Sequence, residues 1–174
     1  MAGSMRVESA LGQGAAFVLD LPAESRREAG RETGSESALP VIQGKTILVV
    51  DDEPEVADIL YELLSKDGHS LDTASDGAVA LAKIGARAYD AILSDDRMPG
   101  IDGPGLYREL ERHHPELLAR MIIVTGDVLT PSTQAFLTQT GVPTLYKPFD
   151  HKGVRRVVQE VLGADRMEAP VSVA

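Results

Sequence analysis

Short apolar runs without polar alternation recur along this chain, and a helical pattern follows each of them. Thr46-Ile47-Leu48-Val49-Val50, Ala91-Ile92-Leu93 and Met121-Ile122-Ile123-Val124 are the clearest. A strand of this kind is buried on both faces. Parallel sheets covered by helices need such strands; antiparallel sheets with one wet face do not. Two weaker strands, Ser70 to Thr73 and Pro143 to Tyr146, bring the number to five.

Helices fill the intervals. Pro54 suits a first helical position, and Val56, Ile59, Leu60, Leu63 and Leu64 recur at helical spacing up to Lys66 before Gly68 stops the run. Further helices are predicted over Gly77 to Ile84, Gly105 to His113 and Pro131 to Gln139, and a last one is traced by Val154, Val157, Val158, Val161 and Leu162. Five strands alternating with five helices predict an α/β fold, a doubly wound parallel sheet with helices on both faces.

The 174 residues divide unevenly. Residues 1–23 read as a β-hairpin, because Met5-Arg6-Val7-Glu8-Ser9 and Phe17-Val18-Leu19-Asp20-Leu21-Pro22 flank a turn at Leu11-Gly12-Gln13-Gly14. A two-stranded hairpin alone is marginal in water, so it reads as a piece of a larger sheet. Residues 24–43 are rich in Gly, Ser and mixed charge, and read as a flexible linker. The main domain is expected over 44–165, with a tail over 166–174.

Composition excludes several functions. Acidic residues outnumber basic ones 27 to 17, for a net charge of −10, which argues against nucleic acid and against an anionic membrane surface. The absence of cysteine removes disulfides, thiolate chemistry and cysteine-ligated metals. No membrane span or secretory signal is visible, so a cytoplasmic location is expected.

Ligands of open parallel sheets bind outside the carboxyl ends of the strands. Asp51, Asp52 and Glu53 follow the first strand of the main domain, and Asp95 and Asp96 the third. Thr125, Gly126 and Asp127 come after the fourth, and Lys147 and Pro148 after the fifth. Asp52 or Glu53 could simply cap the helix that begins at Pro54. Two carboxylates about 4 Å apart at an effective dielectric near 20 repel by roughly 4 kcal/mol, so a cation must neutralise the rim or the acids must protonate. Mg²⁺, with a few carboxylates, waters and phosphate oxygens, does this best. With Lys147 opposite and Thr125 as hydroxyl donor, the set describes a phosphoryl site with one carboxylate left as nucleophile.

The residues Val49-Val50-Asp51-Asp52-Glu53, Asp95 followed by Met98-Pro99-Gly100-Ile101-Asp102-Gly103, Thr125, and Lys147-Pro148-Phe149 resemble the receiver domain of two-component response regulators. The likeness covers about Lys45 to Leu162 and implies the flavodoxin-like receiver fold with strand order 2-1-3-4-5. It implies Asp95 as phosphoacceptor, Thr125 and Lys147 against the phosphoryl oxygens, and Mg²⁺ (or Mn²⁺) held by Asp51, Asp52, Asp95 and the backbone carbonyl of Arg97. Pro99 and Gly103 would shape the loop presenting Asp95. Thr144 stands where the family often has an aromatic switch residue, with Tyr146 beside the lysine. Arg97 and Asp127 occupy positions that tune hydrolysis in the family.

Arg6 to Pro22 is similar to the end of a histidine kinase ATP-binding domain. Together the two resemblances imply the C-terminal receiver of a hybrid sensor histidine kinase. It would take a phosphoryl group from a phosphohistidine, in cis or in trans, with a histidine phosphotransfer protein as a further partner. The fragment would catalyse only its own phosphorylation and dephosphorylation. Phosphorylation would shift the face from Pro131 to Leu162, the fourth helix, fifth strand and fifth helix, which is also the expected homodimer face. With a dozen residues after Leu162, no DNA-binding domain is expected to follow. An aspartyl-phosphate phosphatase is the enzymatic rival, but its general acid would fall at Arg97. An unphosphorylated interaction module is the other alternative. The Asp51-Asp52-Glu53-Pro54-Glu55 loop counts against flavin or nucleotide binding, since it repels phosphate without a metal and offers no glycine cradle.

Overall fold

The structure is a computed structural model. It describes the backbone of residues 4–10 and 14–20, and residues 42–126 and 130–164 in full. Leu21, Pro22, Asp127, linker residues 24–41 and the tail from 165 lie outside the described residues.

The chain separates into two units at Ala38/Leu39. In the first, β1 (Ser4–Ala10) pairs antiparallel with β2 (Gly14–Asp20), Val7 opposite Phe17. In the second, β3 (Thr46–Val50), β4 (Ser70–Ala74), β5 (Ala91–Asp95), β6 (Met121–Thr125) and β7 (Thr144–Tyr146) form one parallel sheet. Its order is β4-β3-β5-β6-β7, which is 2-1-3-4-5 within the domain. The helices are α1 (Pro54–Lys66), α2 (Gly77–Ala86), α3 (Gly103–His113), α4 (Pro131–Thr140) and α5 (His151–Ala164).

Strand residues alternate between two cores, as a period of two dictates. Ile47, Val49, Leu93, Ile122 and Val124 pack with α1 and α5 through Leu60, Leu64, Val154, Val158 and Val161. Leu48, Val50, Ile92, Met121 and Ile123 pack on the opposite face with Ala80 and Ile84 of α2 and Leu106 and Leu110 of α3. Helix α4 buries no residue fully; Phe136 and Leu137 anchor it, and Phe136 meets Tyr107 of α3 edge-on at 5.4 Å. Gly141, at φ 64°, ends α4 in the left-handed conformation that glycine tolerates best.

One expectation needs correction. Ile42, assigned to the linker, is buried with the α1/α5 core, and its backbone N–H and C=O both bond the Gln159 carboxamide at 2.8 Å. The packed domain therefore begins two residues before 44. His69 is buried, and neither of its ring nitrogens has a hydrogen-bond partner. His151 is half-buried and lies 3.0 Å from Oδ1 of Asp67, which Arg155 also grips. A 3-10 turn, Pro115–Arg120, fills the interval before β6.

Candidate functional site

Strands β3 and β5 are neighbours whose following chain segments diverge to α1 and α3, so a crevice opens at their carboxyl ends. Asp51 leaves β3 into that crevice and is only 4% exposed. Its Oδ1 accepts the N–H of Glu53 at 2.9 Å, a local bond that fixes the carboxylate above the first turn of α1. Glu53 is the helix N-cap but makes no side-chain capping bond, and Asp52 is exposed. The Asp51 carboxylate thus turns into the pocket.

Asp95 ends β5 and is 6% exposed. Its Oδ2 accepts the N–H of Arg97 at 2.9 Å, and its Oδ1 lies 2.6 Å from Nζ of Lys147. The same Nζ is 3.3 Å from Oδ2 of Asp51. Those two carboxylate oxygens are therefore at most about 6 Å apart. Lys147 reaches the pocket because its N–H bonds the carbonyl of Thr125 at 2.7 Å, where the chain leaves β7 beside the end of β6. The loop behind Asp95 is closed tightly. A side chain at Gly103 would put its Cβ 2.4 Å from the Asp95 carbonyl oxygen, so only glycine fits there.

Thr125 is fully buried, and its hydroxyl donates to Oδ2 of Asp96 at 2.9 Å. Asp96 is in turn tied to β6 by its N–H, which bonds the Val124 carbonyl. The adjacent acids thus separate: Asp95 binds the lysine and Asp96 binds the threonine. The family resemblance assigned no role to Asp96. The signal was the doublet itself, because consecutive residues at a strand end face opposite ways. Thr144 is half-buried and donates its hydroxyl to the Val142 carbonyl, while Tyr146 is 50% exposed.

The electrostatics follow from burial. Desolvation pushes the Asp51 carboxyl above the usual range, against the pull of the Glu53 amide and Lys147. Asp96 is raised by the same cause, with Thr125 opposing it. Burial would pull Lys147 down, but bonds and charge from Asp95 and Asp51 outweigh it and hold the ammonium above its ordinary value. One ammonium thus serves two buried carboxylates.

Among the described residues, no three acidic or histidine side chains converge as a metal cage. Mg²⁺ does not need one, since it keeps waters and binds through one or two carboxylates. The oxygen-only donors of Asp51 and Asp95, with a surplus of negative charge, fit a hard divalent ion.

Fold and pocket together define a doubly wound α/β protein with an acidic, lysine-closed site at the switch point of its sheet. Residues 47–159 match the response regulator receiver domain family. The chain is 36% identical over 105 residues to the transcriptional regulatory protein TcrA of Mycobacterium tuberculosis, covering 60% of this chain and 41% of TcrA. It is 29% identical over 170 residues to the sensor kinase CckA of Brucella abortus, covering 92% of this chain and 18% of CckA. It also superposes with a TM-score of 0.63 on the receiver domain of sensor histidine kinase PA1611 from Pseudomonas aeruginosa, a crystal structure with magnesium coordinated in the active site cleft. That pair shares 30% identity over 69% of this chain and 98% of the other. The chain belongs to the response regulator receiver domain family. It is a two-component receiver homologous to those of hybrid sensor kinases, and it spans less than half the length of TcrA and of CckA.

Proposed function

We propose that this receiver accepts a phosphoryl group from a phosphohistidine onto Asp95. The observation that carries the reading is the Lys147 ammonium held between Asp95 and Asp51. A carboxylate oxygen of Asp95 attacks phosphorus, the P–N bond breaks, and the pair of electrons leaves with the imidazole, which takes up a proton. The Arg97 N–H steadies the other oxygen of Asp95 through the attack. Lys147 then exchanges its bond to Asp95 for one to the phosphoryl oxygens. Thr125 can donate to the same group only by giving up Asp96, so phosphorylation would break a buried bond between the ends of β5 and β6.

Asp51, Asp95 and the Arg97 carbonyl, with Asp52 at the rim, would hold Mg²⁺, which offsets charge on the transferred oxygens when bound. The wider reading places the chain in a hybrid sensor kinase. Coverage of 92% against CckA supports it, because the aligned region must take in much of the chain before residue 44. The hairpin of β1 and β2 would then be the end of an ATP-binding domain. The conformational response and any homodimer contact would fall on the α4–β7–α5 face, where Tyr146 is exposed.

The test is incubation with acetyl phosphate and Mg²⁺, followed by intact-mass measurement. A gain of one phosphoryl group is expected, lost in Asp95→Asn and retained in Asp96→Asn. Phosphorylation of Asp95→Asn at the wild-type level would overturn the assignment.

A further inference from the structure

Gly77 is the first residue of α2 and lies outside the acidic pocket. Its N–H bonds the carbonyl of Ile101 at 3.1 Å. A Cβ placed on it would lie 2.6 Å from both Cγ2 and the carbonyl oxygen of Ile101, closer than real Cβ atoms approach anything. The Ile101 side chain could rotate away, but its carbonyl belongs to the backbone and could not. Ile101 sits in the segment from Asp95 to Gly103, which holds Arg97 near one end and is closed at the other by Gly103 against the Asp95 carbonyl. That segment is therefore fastened at its two ends and at Ile101, and the Ile101 fastening is to α2. Asp76 caps α2 by accepting the N–H of Val79, so the helix end that holds the segment is itself fixed.

We infer that Gly77 is a positioning residue: by lacking a side chain it lets α2 clasp the Ile101 carbonyl and sets the loop that presents Asp95 and the Arg97 carbonyl. This rests on the phosphoacceptor reading above. A methyl group at 77 drives the Ile101 carbonyl outward by close to an ångström, and the shift passes along the short segment to the metal-facing groups. The start of α2 is then a second input to the site, reached without touching any acidic side chain.

The experiment is a Mg²⁺ titration of the full chain followed by amide shifts in two-dimensional NMR, on wild type, Gly77→Ala and Gly85→Ala. Gly85 lies on the same helix, and a Cβ there would meet nothing within 4 Å. Gly77→Ala should weaken Mg²⁺ binding about tenfold or more, the range for residues that orient metal ligands. Gly85→Ala should bind as wild type does. A merely structural glycine would lower the melting temperature and leave the dissociation constant of the folded protein unchanged, and that result overturns the inference. Equal weakening in Gly85→Ala overturns it as well. If wild type itself binds no Mg²⁺, the phosphoacceptor reading fails first and takes this inference with it. Should Gly77→Ala not fold, hydrogen exchange on wild type decides. Slower exchange of the Gly77 amide on adding Mg²⁺ supports the clasp, and unchanged exchange sinks it.

Discussion

Lys147 is bonded through Nζ to Oδ1 of Asp95 at 2.6 Å across 52 residues of sequence. Its side chain is 22% exposed and that of Asp95 8%, so the contact is partly shielded from solvent. The ammonium also serves Asp51, and the pocket therefore carries more negative than positive charge.

That imbalance predicts how Asp51→Asn behaves. Burial holds the Asp51 carboxyl above its ordinary value of 3.8. A carboxyl raised in the folded state favours folding below its unfolded value, and the benefit is lost as pH rises through the folded value. At neutral pH the ionised group weighs against the fold, and asparagine mimics the protonated form. Urea unfolding in chelator should find Asp51→Asn more stable than wild type at neutral pH, with the gap closing in acid. Mg²⁺ at a hundred times its dissociation constant should add about 2.7 kcal/mol to wild type and less to the variant. A variant less stable than wild type in chelator would refute the argument.

Much of this arrangement was legible in the sequence because it follows from local pattern. The unbroken apolar runs at 46–50 and 121–124 announced doubly buried strands, and the acids after them had to share a rim. Strand order came from the family motifs, since periodicity says nothing about neighbours. The Asp95-Asp96 doublet showed that the two acids face opposite ways, but no spacing rule named Thr125, 29 residues further on, as the partner of Asp96. The Ile42–Gln159 pair spans 117 residues with no spacing rule to reveal it. The 3-10 turn at Pro115–Arg120 is too short to show a period.

The Thr125 hydroxyl predicts a graded series. Thr125→Ser keeps the donor to Asp96 and should fold and accept phosphate nearly as wild type does. Thr125→Val keeps the shape but leaves a buried carboxylate short of a partner, costing about 1–3 kcal/mol of unfolding free energy. Asp96→Asn in the Thr125→Val background should recover part of that loss, because a neutral amide is cheaper to bury than a carboxylate. Equal stability of the serine and valine variants would count against this role.

Gln159 closes both backbone valences of Ile42 at 2.8 Å. Gln159→Leu leaves an N–H and a C=O without these partners and should destabilise the domain by about 1–3 kcal/mol. Amide exchange at Ile42 should accelerate in the variant. Gln159→Glu, which keeps the acceptor and loses the donor, should fall between the two. Unchanged exchange at Ile42 would show that the pair does not hold the chain there.

His69 predicts a loss of stability in mild acid. Burial lowers its affinity for a proton from the ordinary 6.5; Asp67 and Asp90 oppose this, and Arg155 and Lys45 reinforce it. Both ring nitrogens lack partners, so no hydrogen bond rewards the charged form. A base depressed in the folded state contributes stability above its unfolded value, and that contribution is lost as pH falls through the folded value. The unfolded chain takes the proton first, so the fold should weaken below 6.5 by at most about 1.4 kcal/mol per pH unit. Asp67, lowered chiefly by its bond to Arg155, begins to titrate only at more acid pH, which leaves a window in which His69 dominates. Urea unfolding of wild type and His69→Leu on either side of 6.5 checks the claim. The variant should lose less stability than wild type as the solution is acidified, and parallel losses in the two proteins would assign the acid sensitivity to another group.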